Sequence, residues 1–299
     1  MSTTTRAFRC GLIGNDLGTS LSPVIHETEA AALGLEGFRY EAIDLEGQEN
    51  PDLGAVLKDA LSLGFTGFNV THPHKQAIMP FLSSVAPDAA ALGAVNTITI
   101  ENGELVGHNT DRSGFLAGLR RTLPSDAAHE SVVLFGAGGA GSAVASALLD
   151  FGVTTLRIID TVPERLEQLR GLLLASVEEA SNGESPVRIE IGEPEHAQAW
   201  IRDADGVVNA TPIGMEHIPG TPFITDFLHG DQWVADVIYR PANTQLLQDA
   251  HSKGCVVVNG TTMLIEQAAD TFVLLTGISP DRDRMRQHLA TLLASPSAS

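Results

Sequence analysis

Cysteine, positive charge and long apolar runs are all scarce in this 299-residue chain. Only two cysteines occur, Cys10 and Cys255, each inside an apolar, strand-like run. Both read as buried free thiols, which suits a reducing compartment, so the expected location is cytoplasmic. Lys and Arg together number 18 against 37 Asp and Glu, a net charge of −19. That balance argues against nucleic acid and anionic membrane surfaces as partners. It leaves small anionic ligands open, because local groups can capture them. No stretch reaches the ~18 apolar residues of a membrane span. Residues 1–9 carry no apolar segment of the secretory type. Internal repeats and low-complexity tracts are also absent from the sequence.

What is present is a hydrophobic content of 43% with 18% charged residues, the balance of a globular protein able to form two cores. Strands and helices alternate throughout. In the first third, strands are expected at 9–14, 38–44 and 67–70, with helices at 22–33 and 53–63. Ser22 is the expected N-cap of the helix at 22–33, with Pro23 at its first position. Short helices are expected at 77–81 and 87–92, then a hairpin from 96–100 to 105–107 turning at Asn102–Gly103. A helix follows from about residue 113. Beyond it, strands are expected at 132–135, 155–160, 187–191, 206–209, 233–236 and 255–258. Helices at 142–151, 163–177, 195–201 and 243–253 lie between them. Residues 175–186 read as a flexible connection, and two last helices are expected at 264–275 and 282–293.

The run Val132–Val133–Leu134–Phe135 leads into Gly136–Ala137–Gly138–Gly139–Ala140–Gly141, a Gly-x-Gly-x-x-Gly turn between a strand and a helix. Glycines there let a pyrophosphate approach the backbone, and the helix N-terminus offers free N–H groups. Such a turn alone is weak evidence. Here Asp160 closes the next strand at the offset of about 20 residues expected of the carboxylate that takes ribose hydroxyls. Together they point to a dinucleotide site.

Polar residues also crowd several strand ends. Ser20–Leu21–Ser22 precedes a helix and suits either a carboxylate or simple N-capping. Asn69–Val70–Thr71–His72–Pro73–His74–Lys75 follows a strand, where ligands of open α/β sheets bind, although Lys75 alone would read as a surface charge. His72 and His74 lack metal-ligand spacing, so no metal is expected. Asp111 suits either chemistry or helix capping. Further clusters are Gly93–Ala94–Val95–Asn96–Thr97, Asn109–Thr110–Asp111, Asn209–Ala210–Thr211, the run from Val237 through Tyr239 to Pro241, and Gly260–x–x–Met263–x–x–x–Gln267.

In this order the motifs resemble those of shikimate dehydrogenases, from about Gly11 past Gln267. The resemblance implies an N-terminal α/β substrate domain, residues 1–112, with C-terminal helices 260–299 packing back on it. It implies a Rossmann domain with a doubly wound parallel sheet at 113–259. The implied substrate is a polyhydroxy ring carboxylate. Ser20, Ser22 and Tyr239 would hold the carboxylate, Asn96, Asp111, Lys75 and Gln267 the hydroxyls, with Thr71 beside the ring. Lys75 and Asp111 would be the catalytic pair. Gly136, Ala137, Gly138, Gly139, Ala140, Gly141, Asp160 and Arg165 would meet the dinucleotide. Gly260 would also meet the dinucleotide, and Thr211, Met215, Val237 and Met263 would line its nicotinamide side. Relatives that use NADP carry Asn-Arg-Thr after the second strand of that domain. Asp160–Thr161–Val162 stands here instead, and a carboxylate repels a 2′-phosphate. NAD is therefore the expected cofactor. Arg165, one turn on, could partly compensate toward a 2′-phosphate, and otherwise reads as an adenine contact or a solvated charge. His26–Glu27, His72–Pro73–His74–Lys75 and Thr221–Pro222–Phe223 resemble the NAD-dependent quinate/shikimate dehydrogenases. Ser22, where some quinate-preferring relatives have Thr, leaves the preferred ring open. The rival readings are a biosynthetic NADP-dependent shikimate dehydrogenase, an amino-shikimate or amino-quinate paralogue, and a dinucleotide-sensing regulator. A monomer or homodimer is expected.

Overall fold

The computed structural model describes residues 7–181 and 187–294. The chain divides into two compact units. One takes the chain up to Thr110 and again from Gln267 onward; the other is Asp111–Glu266.

The first unit opens with β1 (Arg9–Gly14), α1 (Ser22–Ala32), β2 (Arg39–Asp44), α2 (Leu53–Ser62) and β3 (Gly67–Val70). It continues through β4 (Ser84–Val85), α3 (Pro87–Leu92), β5 (Thr97–Glu101) and β6 (Glu104–His108). Among the described residues these strands form a mixed sheet in the order β2-β1-β3-β5-β6-β4. β1 runs parallel to β2 and β3, while β5 is antiparallel to β3 and β6. The β5–β6 turn places Asn102 at φ 54° and Gly103 at φ 87°, the pair of positive values that a tight Asn-Gly hairpin demands. Alternation along β1 sends Ile13 into a core with Phe68 and Ile98. Leu12 goes to the other face, with Tyr40 and Phe272.

The second unit comprises α4 (Asp111–Thr122), β7 (Ser131–Phe135), α5 (Gly139–Phe151), β8 (Thr155–Ile159), α6 (Pro163–Ser181), β9 (Arg188–Gly192), α7 (Ala197–Arg202) and β10 (Gly206–Asn209). β11 (Trp233–Asp236), α8 (Gln245–Ser252), β12 (Val256–Val258) and the start of α9 (Gly260–Thr276) complete it. Every strand pair in its sheet is parallel, in the order β12-β11-β10-β7-β8-β9. This is the doubly wound Rossmann arrangement, whose strand order reverses beside β7. Val132 and Leu134 face one core, Val133 and Phe135 the other. The rest of α9 and α10 (Arg282–Ala294) belong to the first unit. There the Arg284 guanidinium grips buried Glu29 of α1 at 2.6 and 2.8 Å.

Several expectations are corrected. Ser22 is the first residue of α1, not its cap. Leu21 already has helical backbone, and the Ser20 hydroxyl accepts the Ser22 N–H at 3.3 Å. The stretch 77–81 is mostly turn, with a single 3-10 turn at Met79–Phe81, because Pro80 interrupts it. The two-residue β4 escapes periodicity altogether. α5 starts at Gly139, inside the glycine motif, and α9 already at Gly260. Residues 175–181 are helical, since Ala and Glu carry α6 onward to Ser181; 182–186 lie outside the described residues. The division between units also differs from that expected. Asp111 and Arg112 begin α4, and Met263 packs in the second unit's core with Phe115 and Leu119, so residues 260–266 belong with that unit.

Candidate active site

In the second unit the glycine turn sits at the C-terminal end of β7, beside the reversal of strand order. Gly136 has φ 101°, and a Cβ on it would lie 2.8 Å from the Ala210 carbonyl oxygen. A Cβ at Gly141 would lie 2.0 Å from the Gly136 oxygen, so the first turn of α5 is pressed onto the loop. Gly138, the residue before α5, is different: a Cβ there meets nothing within 4 Å. The outer two glycines shape the loop, and the middle one leaves its backbone open. Gly139 and Ala140 follow in the first turn of the helix, half-buried, with their N–H groups at its positive end. These residues fit a dinucleotide pyrophosphate.

Asp160 directly follows β8 and is tied into this loop. One carboxylate oxygen accepts the Ala137 N–H at 2.7 Å, the other the Val162 N–H at 2.9 Å. Arg165 stands exposed in the first turn of α6. At the end of β10, the Thr211 backbone N–H and hydroxyl both donate to Asn209 Oδ1, at 3.0 and 2.7 Å. Asn209 Nδ2 donates to Asp236 Oδ1 at 3.1 Å. The Ile238 N–H and the Thr244 hydroxyl also donate to Asp236. Burial pushes the Asp236 carboxyl up to about 6, against the downward pull of these donors. Half-buried Val237 and Tyr239 follow β11, and Met215 lies in the turn after β10, bridged to Ile218. Gly260 and Met263 are buried in the first turn of α9.

In the first unit the polar residues gather at the ends of β1, β3 and β5. The Leu17 N–H donates to Asp44 at 3.0 Å and anchors the segment leading to Ser20 and Ser22, both half-buried. Backbone donors hold the Asp44 carboxyl below the usual range. The Thr71 methyl packs over Gly14, and the Thr71 N–H donates to the Ile13 carbonyl at 2.9 Å. His74 Nε2 meets Asn15 Oδ1 at 2.7 Å, lacing the segment before Lys75 to the one before Ser20. Half-buried Lys75 is fixed through its carbonyl, which accepts the Val95 N–H at 2.8 Å.

Asn96 lies at the centre and is buried. Its Oδ1 accepts from the Thr110 N–H and the Thr97 hydroxyl, at 2.9 and 3.0 Å. Its Nδ2 donates to Thr110 Oγ1 at 2.9 Å and to Gln267 Oε1 at 3.5 Å. The fold thus brings Asn96 and Gln267 together across 171 positions of chain. Asp111 follows Thr110 directly and is 5% exposed as the first residue of α4. Tyr239 belongs to the other unit from Ser20 and Ser22.

Sequence reasoning missed the partners behind these residues. Tyr40 donates to Asn69 Oδ1 at 2.5 Å, and Asn69 donates to the Asn96 carbonyl at 2.9 Å. His26 is 1% exposed and stacks on Tyr40 at 4.7 Å and Phe272 at 6.0 Å, with its Nδ1 left without a hydrogen-bond partner. Burial lowers that imidazole to about 4. The signal for Asp236 is a charge closing an apolar strand. The signal for Thr271 is a hydroxyl one helical turn after Gln267 in an apolar helix.

Comparison with known proteins agrees with this architecture. The shikimate dehydrogenase substrate-binding domain matches residues 12–98, and the shikimate 5′-dehydrogenase C-terminal domain matches residues 260–290. A shikimate dehydrogenase (NADP(+)) of Streptomyces avermitilis is 44% identical over 288 residues, covering 96% of each chain. A quinate/shikimate dehydrogenase (NAD(+)) of Corynebacterium efficiens is 45% identical over 286 residues, covering 94% of this chain and 97% of its own. The structure of quinate dehydrogenase from Corynebacterium glutamicum in complex with NAD superposes with a TM-score of 0.84 at 42% identity, over 95% of this chain and 99% of that one. Among the described residues no helix is long and apolar enough to cross a membrane, and no group of His, Cys, Asp and Glu is placed to hold a metal. With both units and nearly the full length matched, the chain belongs to the shikimate dehydrogenase family of NAD(P)-dependent oxidoreductases.

Proposed function

We propose that this protein oxidises quinate or shikimate at the C3 hydroxyl, reversibly, with NAD as the preferred cofactor. The observation that carries the cofactor half is Asp160, whose carboxylate is held at the glycine loop by the Ala137 and Val162 amides. A carboxylate fixed there accepts from ribose hydroxyls and opposes a 2′-phosphate. Exposed Arg165 is the feature that favours NADP, and an NADP-named relative is similarly close. Its flexible side chain in solvent counts for less than a carboxylate tied by two amides.

The nicotinamide ring, when bound, takes up the hydride lost from C3. Lys75 and Asp111 manage the accompanying proton: the pair accepts it from the hydroxyl during oxidation and returns it during reduction. Ser20 and Ser22, with Tyr239, hold the ring carboxylate. Asn96 and Gln267 hold ring hydroxyls and set the angle at which C3 is presented. Thr71 flanks the ring. Gly138, Gly139 and Ala140 offer N–H groups to the pyrophosphate, with Gly136, Ala137 and Gly141 shaping their loop. Gly260 meets the dinucleotide, and Thr211, Met215, Val237 and Met263 serve its nicotinamide side.

Oxidation of quinate and of shikimate, followed by absorbance of the reduced cofactor, tests the substrate half. Turnover of at least one ring to its 3-dehydro product is expected, faster as pH rises because a proton must be accepted. No turnover of either ring would overturn it.

A further inference from the structure

A closed ring of hydrogen bonds runs through four side chains behind Asn96. Asn96 Nδ2 donates to Thr110 Oγ1 at 2.9 Å. The Thr110 and Thr271 hydroxyl oxygens lie 3.1 Å apart, and those of Thr271 and Thr97 lie 2.9 Å apart. The Thr97 hydroxyl donates to Asn96 Oδ1 at 3.0 Å, which closes the circuit. Counting protons fixes its direction. Asn96 Oδ1 is only an acceptor, so Thr97 spends its proton there. Thr271 must then donate to Thr97, which leaves Thr271 to accept from Thr110. Each hydroxyl donates once and accepts from its neighbour in the ring. Thr271 is 0% exposed, so bulk water cannot substitute for a lost partner. Such a head-to-tail circuit in a buried site is cooperative.

The ring also determines which end of Gln267 faces it. Asn96 Nδ2, the donor on this side, lies 3.5 Å from Gln267 Oε1, while the Thr110 proton is committed to Thr271. The carboxamide oxygen of Gln267 is therefore the end turned toward the ring. We infer that Thr271 is a positioning residue: by taking the Thr110 proton it leaves Thr110 an acceptor for the Asn96 amide, and through Asn96 it turns the oxygen of Gln267 inward so that its NH2 serves as hydrogen-bond donor to the substrate's hydroxyl oxygen. This rests on the proposed role of Gln267 at the ring hydroxyls. Thr271 itself touches no substrate. Its effect adds to that of the Thr110 N–H, which holds Asn96 Oδ1 at 2.9 Å: together they oppose the flipped amides that would present the wrong group.

The experiment is a double-mutant cycle on the full chain. Thr271→Val keeps the shape and deletes the hydroxyl; Thr271→Ser keeps the hydroxyl. Thr271→Val should lose about tenfold in kcat, the scale of a misoriented reactant, with the NAD KM unchanged and the ring-acid KM within about twofold. Thr271→Ser should stay within about threefold of the parent in kcat, because the ring reforms. In a Gln267→Ala background, Thr271→Val should cost almost nothing further, because the group it orients is gone. Should Thr271→Val fold poorly, Thr97→Val opens the same ring at the next joint and should give the same kcat loss and the same non-additivity. A parent-like kcat in the Val variants overturns the inference, as does a full additional loss in the Gln267→Ala background. In both cases the functional reading stands, since the parent still turns over and Gln267→Ala is still impaired. A normal kcat for Gln267→Ala itself overturns the role of Gln267 in that reading, and the inference with it.

Discussion

The cluster around Asn96 in the first unit and those around Asp160 and Asp236 in the second are built from different chemistry. In the first unit, Asn69, Asn96, Thr97, Thr110, Gln267 and Thr271 join side chain to side chain without a formal charge. In the second, two carboxylates gather backbone N–H groups: Asp160 takes Ala137 and Val162, and Asp236 takes Ile238 along with the side chains of Asn209 and Thr244. A neutral network sets the direction in which amides and hydroxyls point, which is what recognition of a polyhydroxy ring requires. A carboxylate network sets the shape of loops, which is what a backbone cradle for a dinucleotide requires. Changes in the Asn96 cluster should therefore act on substrate orientation, and changes around Asp160 and Asp236 on loop geometry and cofactor choice.

The comparison is broken most severely at the two groups proposed to move a proton. Lys75→Ala and Asp111→Ala should each lose on the order of 10²–10⁴ in kcat while NAD still binds. Near-parental turnover in a variant would remove that residue from the mechanism. Next comes the buried carboxylate of the second unit. Asp236→Ala leaves the Ile238 N–H, the Thr244 hydroxyl and the Asn209 amide without their acceptor. That should lower unfolding stability by about 2–4 kcal/mol in urea titrations. A loss below about 0.5 kcal/mol would show that the carboxylate does not organise those loops.

Acidification should separate the units by sign. His26, held near 4, is neutral in the folded state where the unfolded chain protonates near 6.5. Its contribution is present above pH 6.5 and is lost as pH falls toward 4. Asp236, held near 6, binds a proton when folded that the unfolded chain releases near 3.8. Its contribution is present below that value and is lost as pH rises through 6. Each amounts to about 3 kcal/mol. Trp200 and Trp233 both lie in the second unit, so their fluorescence follows that unit, while amide exchange in α1 follows the first. Between pH 6.5 and 4 the first unit should weaken relative to the second, and His26→Phe should remove that weakening. An unchanged pH dependence in His26→Phe would contradict it. The smallest effects belong to the serines. Ser20→Ala should raise KM severalfold for quinate and shikimate alike, on the scale of one hydrogen bond to a charged group. Ser22→Thr should shift the quinate-to-shikimate ratio of kcat/KM. A constant ratio would move ring discrimination elsewhere.

Legibility in the sequence follows the range of the interactions. The Gly-x-Gly-x-x-Gly turn, the Asn102–Gly103 hairpin and the parallel strand series rest on local backbone demands, and they stand out in one dimension. The end of α6 is obscured because Ser and Gly at 181–183 mask the helix-forming Ala and Glu before them. Ser22 resembles a cap in sequence, yet Leu21 enters helical backbone one residue early. Partners such as Thr271 and Asn69, 202 positions apart, leave no periodic mark. Only the fold reveals that the threonine after Gln267 completes a ring with Asn96.

The central claim is that the second unit's carboxylate at Asp160 selects NAD. The most direct measurement is the ratio of kcat/KM for NAD over NADP in the unmodified protein, at saturating ring acid and fixed ionic strength. A ratio of about 10 or more is expected, the scale of one charge-assisted hydrogen bond made and one repulsion avoided. A ratio of about 1 or below would contradict the account and pass cofactor choice to Arg165.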